Sequence, residues 1–411
     1  MVELWEHQIK GAEFIRSNQS CALYWEMRCG KTFTTIEGTK GGTRLIICPN
    51  GVKRVWVDDL QAMGEKDVWV WSRSKKDRPA TRPTTVIINY ESLWRCDILE
   101  YGWDSVIFDE SLRLQNWGAK LVKYLLANRY LYNKGKVILL SGSPCPEGYH
   151  QLITQMLIAH GTWDGELDRV YDVLNKGWTY DDYSYKWQIN RGYSAVCKDV
   201  MHAFASSMTQ IEAGITTQLL HRVVRVEPTD HELMLAETAD GLEGAHVGIR
   251  LHSASVGRDI DGKIESSVKL DAVAEYVGDL GVPCVVMCHH TEAIKYLVDK
   301  IGKESMAIYG DVTQPVREQI IAQFKTGALK CVVCQVKCVK TGVNLSAAST
   351  LIYAENSASG EDRIQSEQRC TVKGKEAVEV IDFVCLDIDT KIMDSVRGKK
   401  DFSYSSIQRK P

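Results

Sequence analysis

The stretch that decides the fold of this chain is Trp25-Glu26-Met27-Arg28-Cys29-Gly30-Lys31-Thr32. It follows a short apolar run at 21–24 and continues into residues 33–36, which read as a helix start. A strand, a tight loop with Gly, a Lys-Thr pair and a helix form a P-loop, whose backbone N–H groups and helix N-terminus bind phosphate. In this interpretation Lys31 reaches the terminal phosphates and the Thr32 hydroxyl binds Mg²⁺.

The match to the P-loop pattern is incomplete. Trp25 stands where the pattern has a small residue, five places before Gly30. A Gly-Lys-Thr triplet also occurs in ordinary surface turns. These residues alone leave a nucleotide site and a surface turn equally open, so the rest of the chain has to decide.

Composition indicates an ordinary globular chain of two to three domains. The 411 residues are 44% hydrophobic and 25% charged, and the formal net charge is −3. A nucleic-acid partner would therefore need local basic patches. The N-terminus lacks a signal-peptide apolar region, and no apolar run approaches the ~18 residues that span a bilayer. The lack of such a run predicts no membrane partner. The thirteen Cys are odd in number and scattered, which predicts a reducing, intracellular compartment.

Short apolar runs separated by helix-length segments predict a parallel sheet with helices on both faces. In the first half of the chain these runs are 44–49, 86–90, 105–108 and 137–140. Polar residues follow each run, and ligands of such folds sit at the carboxyl ends of the strands. The sequence therefore predicts one shared site at that edge of the sheet.

Asp109 and Glu110 end the third of these runs. An Asp in this position can hold Mg²⁺, and a neighbouring Glu can orient and deprotonate an attacking water. Such a pair is common in loops, but the P-loop upstream in the same sheet favours nucleotide hydrolysis. Residues 4–15 have the apolar spacing of a helix, in which Gln8 either pairs with an adenine edge or is an ordinary solvated residue.

The second half repeats the α/β pattern. Predicted strands lie at 223–227, 283–288, 305–309, 330–336, 350–354 and 378–384, with helices at 231–242, 291–301 and 315–324 and a loop or hairpin at 251–264. A second sheet of the same class would let a nucleotide bind in the cleft between two lobes.

Two further features have competing interpretations. The middle region contains six aromatic residues, Trp163, Trp178, Tyr180, Tyr183, Tyr185 and Trp187. They either form a stacking surface for nucleic acid or pack a small helical insert, and the acidic residues among them favour packing. Two Cys/His clusters have loosely zinc-like spacing: Cys284, Cys288, His289 and His290, and Cys331, Cys334 and Cys338. Both clusters lie along predicted buried strands, where alternate residues face opposite sides, which favours core packing.

The order of these motifs resembles the superfamily-two helicases, and within them the Swi/Snf-like DNA translocases, especially compact phage-type members. The matching segments are 4–11, 26–32, 46–49 with Trp56, 88–91, 109–116, 141–144, Gly310-Asp311 with Arg317 and Phe324, 341–345 and 363–369. The resemblance implies an α/β fold of two tandem RecA-like parallel-sheet lobes with a helical insert between them. Their predicted bounds are 1–155, 156–222 and 223–396, followed by a flexible basic tail at 397–411.

The same resemblance assigns a site that takes ATP and Mg²⁺ in the cleft between the lobes. The implied catalytic residues are Glu110, Lys31 and Arg369. The implied nucleotide-binding residues are Gln8, Arg28, Cys29, Gly30, Lys31, Thr32, Asp109, Gly342 and Gln365. Thr32 and Asp109 are the implied Mg²⁺ ligands.

The implied partner is duplex, forked or branched DNA, held mainly through its phosphates, in replication, recombination or repair. If the chain is phage-encoded, the expected compartment is the cytoplasm of the bacterial host. Two departures matter: Leu112 stands where the family has a His that couples the lobes, and Val372 where it has a second Arg. Lys373 lacks the bidentate fork of Arg. A catalytically weakened protein that grips DNA or a protein partner therefore stays open, with an RNA helicase as a third reading.

Overall fold

The computed structural model describes residues 2–72, 74, 79–116, 118–145, 151–160, 178–181, 186–189, 204–239, 242–243, 245–339 and 343–398. The chain divides into two compact units, 1–213 and 214–411. Each unit is built on a parallel β-sheet with helices, which confirms the predicted α/β fold of two parallel-sheet lobes.

The first unit alternates strands and helices. Its strands are β1 (Ser20–Trp25), β2 (Arg44–Cys48), β3 (Val68–Val70), β4 (Thr85–Asn89), β5 (Ser105–Asp109), β6 (Lys136–Leu140), β7 (Trp178–Asp181), β8 (Lys186–Ile189) and β9 (Ala205–Met208). Its helices are α1 (Glu6–Ser17), α2 (Lys31–Gly38), α3 (Lys53–Ala62), α4 (Tyr90–Leu93), α5 (Lys120–Ala127) and α6 (Leu152–His160). Short 3₁₀ turns lie at Asn50–Val52, Ile98–Tyr101, Ser111–Leu114 and Arg129–Leu131.

Seven of these strands form one sheet in the order β3-β4-β2-β5-β6-β1-β9, and every pairing is parallel. The central strands are apolar between their end residues because helices cover both faces. In β2, for example, Leu45 and Ile47 enter the core on one face, whereas Ile46 and Cys48 enter the core on the other. The carboxyl ends of β5, β6 and β1 are neighbours, so the residues that follow them share one edge of the sheet.

The end of the first unit differs from the boundary predicted at 155. Strand β9 pairs in parallel with β1, Ala22 opposite Ala205, so the chain returns to the first sheet before it leaves this unit at Ala213. Beyond His160 the described residues of the predicted helical insert form strands β7, β8 and β9 and the start of a further strand at 218, with a turn segment at 209–217, and Tyr180 lies opposite Trp187 in an antiparallel hairpin. Aromatic and β-branched residues favour strands, which explains the hairpin. Trp163, Tyr183 and Tyr185 lie outside the described residues.

The second unit has a six-stranded parallel sheet in the order β10-β15-β14-β11-β13-β12. The strands are β10 (Gln218–Arg225), β11 (Cys284–Cys288), β12 (Ser305–Ile308), β13 (Cys331–Gln335), β14 (Thr350–Tyr353) and β15 (Ala377–Val384). The helices are α7 (Asp230–Glu237), α8 (Ala245–Ala254), α9 (Val268–Asp279), α10 (Thr291–Ile301), α11 (Gln314–Lys325), α12 (Val336–Val339), α13 (Gly360–Gln368) and α14 (Asp387–Arg397).

Two local predictions for the second unit need correction. Residues 251–254 belong to helix α8 rather than to a loop, and a single antiparallel bridge joins Arg258 to Ile264. The helix predicted to reach residue 242 ends at Glu237. Both errors arise at short segments, where the periodicity of a few apolar residues does not separate helix from turn.

The buried cysteines pack on both faces of the second sheet. Cys284, Cys288 and Cys331 lie in the core on one face, whereas Cys334 lies in the core on the other. Among the described residues, no three His, Cys, Asp or Glu side chains are arranged to hold a metal ion. In the same part of the chain, no helix has the length and apolar character needed to cross a membrane. Of the predicted basic tail, residues 399–411 lie outside the described residues.

Candidate nucleotide-binding site

The P-loop turns at residues in the left-handed region between β1 and α2. Gly30 has φ +83° and caps α2, which begins at Lys31. Arg28 has φ +67°, a conformation that costs a residue with a side chain about 1–2 kcal/mol. Strain of this kind persists where surrounding structure enforces it and is frequent at ligand sites.

The ammonium group of Lys31 lies against the carbonyls of its own loop. Its Nζ donates to the carbonyl oxygens of Trp25, at 2.7 Å, and Glu26, at 3.2 Å. Gly142, which follows β6, is close to the same group: a Cβ at Gly142 would be 3.8 Å from Nζ. The lysine charge is therefore held at the carboxyl edge of the sheet, where a helix N-terminus and loop amides favour phosphate.

The bulky side chain of Trp25 fits the first position of this loop because its ring packs into a space beside helix α1. Its ring is 1% exposed and lies beneath α1, where a Cβ on Gly11 would be 2.5 Å from the ring. Its Nε1 donates to Ser206 Oγ at 2.9 Å. The absence of a side chain at Gly11 makes the space for the indole, a relation between two distant positions that the P-loop pattern does not contain.

The segment after β9 also holds the P-loop. The backbone N–H of Gln210 donates to Glu26 Oε2 at 2.7 Å, and Gln210 Nε2 donates to the Met27 carbonyl at 2.9 Å. The backbone N–H of Glu26 donates to the Met208 carbonyl at 2.8 Å. Sequence analysis missed Ser206 and Gln210, because nothing in their local sequence marks them as neighbours of residues 25–27.

Gln8 is buried against the P-loop. Its Oε1 accepts a hydrogen bond from the Trp5 backbone N–H at 2.7 Å, and its Nε2 is 3.5 Å from the Gly30 carbonyl oxygen. The neighbouring His7 Nε2 is 2.9 Å from the Cys29 carbonyl oxygen. Burial raises the pKa of the Cys29 thiol to about 11, which keeps it neutral. Gln8 thus contacts the loop directly, which fits its predicted role, whereas adenine recognition stays a prediction.

Replacing Gly30 by Ala is expected to weaken nucleotide binding about tenfold or more. The substitution places a side chain at φ +83°, and its Cβ would be 1.8 Å from Gln8 Nε2, so Gln8 has to move. Titration with a fluorescent ATP analogue measures the affinity. Gly41→Ala is the matched control, because Gly41 has φ +85° and a Cβ added there would meet no atom within 4 Å. Unchanged affinity in Gly30→Ala would contradict this assignment.

Asp109 is fixed at the end of β5 by two aromatic residues. Trp56 Nε1 donates to Asp109 Oδ2 at 2.8 Å, and the Tyr90 hydroxyl donates to the Asp109 carbonyl at 2.7 Å. The other carboxylate oxygen, Oδ1, accepts the backbone N–H of Glu110 at 3.0 Å. Glu110 itself has φ +53° and begins the turn at Ser111–Leu114. The carboxylate pair therefore has a rigid backbone at the site edge.

The residues present fit a Mg²⁺ ion. Hydroxyl and carboxylate oxygens are the ligands that this hard cation prefers, and Thr32 and Asp109 supply one of each. Thr32 lies in the first turn of helix α2, and Asp109 ends β5 at the same edge of the sheet. Their role as Mg²⁺ ligands remains a proposal.

Asp59, on α3, is expected to make stability depend on pH. Burial, with the negative charges of Asp58 and Asp109, raises the pKa of Asp59 to about 7. The unfolded chain therefore loses this proton first, and the free energy of unfolding falls as pH rises from about 4 to 7. Asp59→Asn should be more stable than the parent by about 2 kcal/mol at pH 8, roughly half of what the full pKa difference gives because Asp59 is partly exposed, and equal to it near pH 4. Urea titrations across this range measure the difference, and a difference that does not change with pH would contradict the assignment.

The remaining predicted site residues lie in the second unit. Gln365 is on α13, where its Nε2 donates to Glu361 Oε1 at 2.6 Å, and Arg369 caps the same helix, its backbone N–H donating to the Gln365 carbonyl at 3.1 Å. Val372 is tied through its backbone to Thr217, and Lys373 is exposed. Gly342 lies outside the described residues, as does Thr341. The nucleotide roles of Gln365, Arg369 and Gly342 stay predictions.

Two family models match this chain. The SNF2-related domain matches residues 7–161, and the helicase conserved C-terminal domain matches residues 268–372. Together they cover more than half of the sequence. The chain belongs to the Swi/Snf-like helicases of superfamily two, with a core of the DNA-translocase or helicase-type ATPase class.

Two solved structures have similar folds. The SWI2/SNF2 ATPase core of Sulfolobus solfataricus in complex with dsDNA is 18% identical, with a TM-score of 0.48, over 97% of this chain and 91% of that one. The ATPase core domain from the same organism is 18% identical, with a TM-score of 0.46, over 97% of this chain and 89% of that one. Comparison with curated protein sequences gives no significant match.

Proposed function

We propose that this protein hydrolyses ATP and uses the energy to move along duplex or branched DNA in replication, recombination or repair. The observation that carries the proposal is the arrangement at one sheet edge of the first unit. There Lys31 follows β1, Asp109 ends β5 and Glu110 comes directly after it. Phosphoryl transfer needs positive charge to neutralise the phosphates and carboxylates to hold the metal ion and orient water, and this arrangement supplies both.

In this proposal each residue has a distinct task. Lys31 and the amides of the P-loop bind and neutralise the phosphates, which requires Lys31 to leave the Trp25 and Glu26 carbonyls. Glu110 orients a water molecule and takes its proton as the water attacks the γ-phosphate. Thr32 and Asp109 hold Mg²⁺, which supplies charge neutralisation when bound. Gln8 reads the adenine, and Arg369 stabilises negative charge on the γ-phosphate.

DNA as the track is proposed from the family. The Swi/Snf-like group acts on DNA, and contacts made mainly to phosphates make binding insensitive to sequence and sensitive to salt. Steady-state ATP hydrolysis should therefore rise when duplex or forked DNA is added, and the rise should shrink as salt increases. Preferential stimulation by RNA would support the RNA-helicase reading, and the absence of stimulation by any nucleic acid would overturn the motor.

A weakened ATPase is the second candidate, and two positions favour it. Leu112 is half-buried beside the carboxylate pair and has no titratable group, and Val372 offers no charge where the family has Arg. An arginine finger contributes ~10³–10⁵ in rate, so Arg369 alone would have to supply that effect. DNA binding without DNA-stimulated turnover in the wild-type protein would favour this candidate.

A further inference from the structure

Helix α6 carries a buried glutamine that joins two segments of the site edge. Gln155 Oε1 accepts a hydrogen bond from Ser111 Oγ at 2.7 Å, and Gln155 Nε2 donates to the Pro144 carbonyl at 2.8 Å. The same Nε2 donates to the Gln151 carbonyl at 2.8 Å. Both Gln155 and Ser111 are 0% exposed.

The two joined segments lie next to the groups assigned to the chemistry. Ser111 directly follows Glu110, whose left-handed backbone aims the turn at Ser111–Leu114. Pro144 closes the segment that includes Gly142, and Gly142 lies close to Lys31 Nζ and Met27 Cγ. One amide side chain thus connects the turn behind the proposed base to the segment that lies next to the P-loop.

The amide is suited to this connection because it has an acceptor and a donor at one end of a single side chain. A buried polar group that loses its partner is costly, so the amide is held in the orientation that satisfies both Ser111 and Pro144. A displacement of 141–144 would therefore change the energy of the bond to Ser111, and the reverse also holds.

We propose that Gln155 is a positioning residue that couples the Glu110 turn to the segment 141–144, so that water activation depends on the position of that segment. This inference rests on the proposed function for its kinetic part. Its structural part, the coupling of two backbone segments through one amide, is independent of turnover.

The test compares Gln155→Met with a control on the same helix. Thr154→Val is matched, because the Thr154 hydroxyl is buried and donates to the Leu114 carbonyl, at the end of the same turn. Gln155→Met should lower kcat about ten- to hundredfold with little change in KM for ATP, since misplacement of a reacting group by about 1 Å can cost 10²-fold. Thr154→Val should change kcat less than threefold.

Hydrogen–deuterium exchange of the full-length protein supplies the second readout. Gln155→Met should speed exchange both at 109–115 and at 141–144, whereas Thr154→Val should affect 109–115 alone. Ser111→Ala combined with Gln155→Met should be no worse in kcat than Gln155→Met by itself.

The outcomes separate the two proposals. If the wild-type protein has no ATP turnover, the proposed function fails and the exchange pattern still decides the coupling. If Gln155→Met leaves exchange at 141–144 unchanged, or if it alters exchange and kcat no more than Thr154→Val does, the coupling role of Gln155 is overturned.

Discussion

Replacing Glu110 by Gln is expected to lower kcat for ATP hydrolysis about 10²- to 10⁴-fold and to leave nucleotide affinity nearly unchanged. The amide keeps the shape of the carboxylate but cannot take a proton from water, and general-base catalysis contributes an effect of this size. The backbone at φ +53° and the bond from the Glu110 N–H to Asp109 Oδ1 are independent of the side chain, so the turn should stay intact.

Steady-state hydrolysis with and without DNA, together with titration of a fluorescent ATP analogue, measures the two effects separately. Lys31→Met should differ by losing affinity as well as turnover, since it removes the charge that binds phosphate. Glu100→Gln is the matched control, because Glu100 is exposed in the turn that precedes β5, at the opposite edge of the sheet. Turnover in Glu110→Gln equal to that of the wild type would remove Glu110 as the base.

The second large effect concerns stability and lies in the second unit. Arg363→Met is expected to lower the free energy of unfolding by about 3–5 kcal/mol, the cost of breaking a buried ion pair. Arg363 is 2% exposed, and its Nη1 and Nη2 donate to the two carboxylate oxygens of Asp382 at 2.6 and 3.0 Å. Its guanidinium also lies 3.7 Å from the ring centre of Tyr353.

The loss is large because Asp382 is fully buried and stays charged. Burial works against ionisation of Asp382, but the charge and hydrogen bonds of Arg363 hold its pKa below the ordinary value. A depressed carboxyl pKa stabilises the fold above the unfolded value near 4 and loses that contribution as pH falls further. Without Arg363, the carboxylate keeps Asn356 Nδ2 at 2.8 Å and Arg397, whose Nη2 and Nε donate at 2.5 and 3.1 Å.

Urea unfolding followed by circular dichroism measures the change. Lys330→Met is the matched control, because it removes an ion pair that is exposed rather than buried: the side chains of Lys330 and Glu304 are 60% and 61% exposed. Exposed pairs contribute at most about 1 kcal/mol, so this control should barely move the midpoint. Equal midpoints for Arg363→Met and Lys330→Met would contradict the role of Arg363 in anchoring Asp382.

Because Arg363 lies on α13 with Gln365 and Arg369, for which nucleotide roles are proposed, its loss should also lower ATP turnover.

Local signals in the sequence determined much of the first unit. The apolar runs ending in polar residues predicted strands β2, β4, β5 and β6 close to their observed bounds, because a strand buried on both faces needs an uninterrupted apolar run. The Gly-Lys-Thr triplet predicted the loop before α2. Such a loop is predictable because its turn and the helix N-terminus depend only on a few consecutive residues. The order of the motifs along the chain was enough to identify the family.

Other features were decided by tertiary structure. Strand β9 joins β1 across about 180 residues of sequence, and Trp25 fits the P-loop because Gly11 leaves room for its ring. Gln155 has no marking signal in its local sequence, and its importance appears only when the fold places Ser111 and Pro144 beside it. Arg363 belongs to the matching segment 363–369, but only the structure shows that its partner is Asp382. Sequence patterns report which residues a segment can bury. The partner that a buried polar group finds depends on which distant segments the fold brings to it.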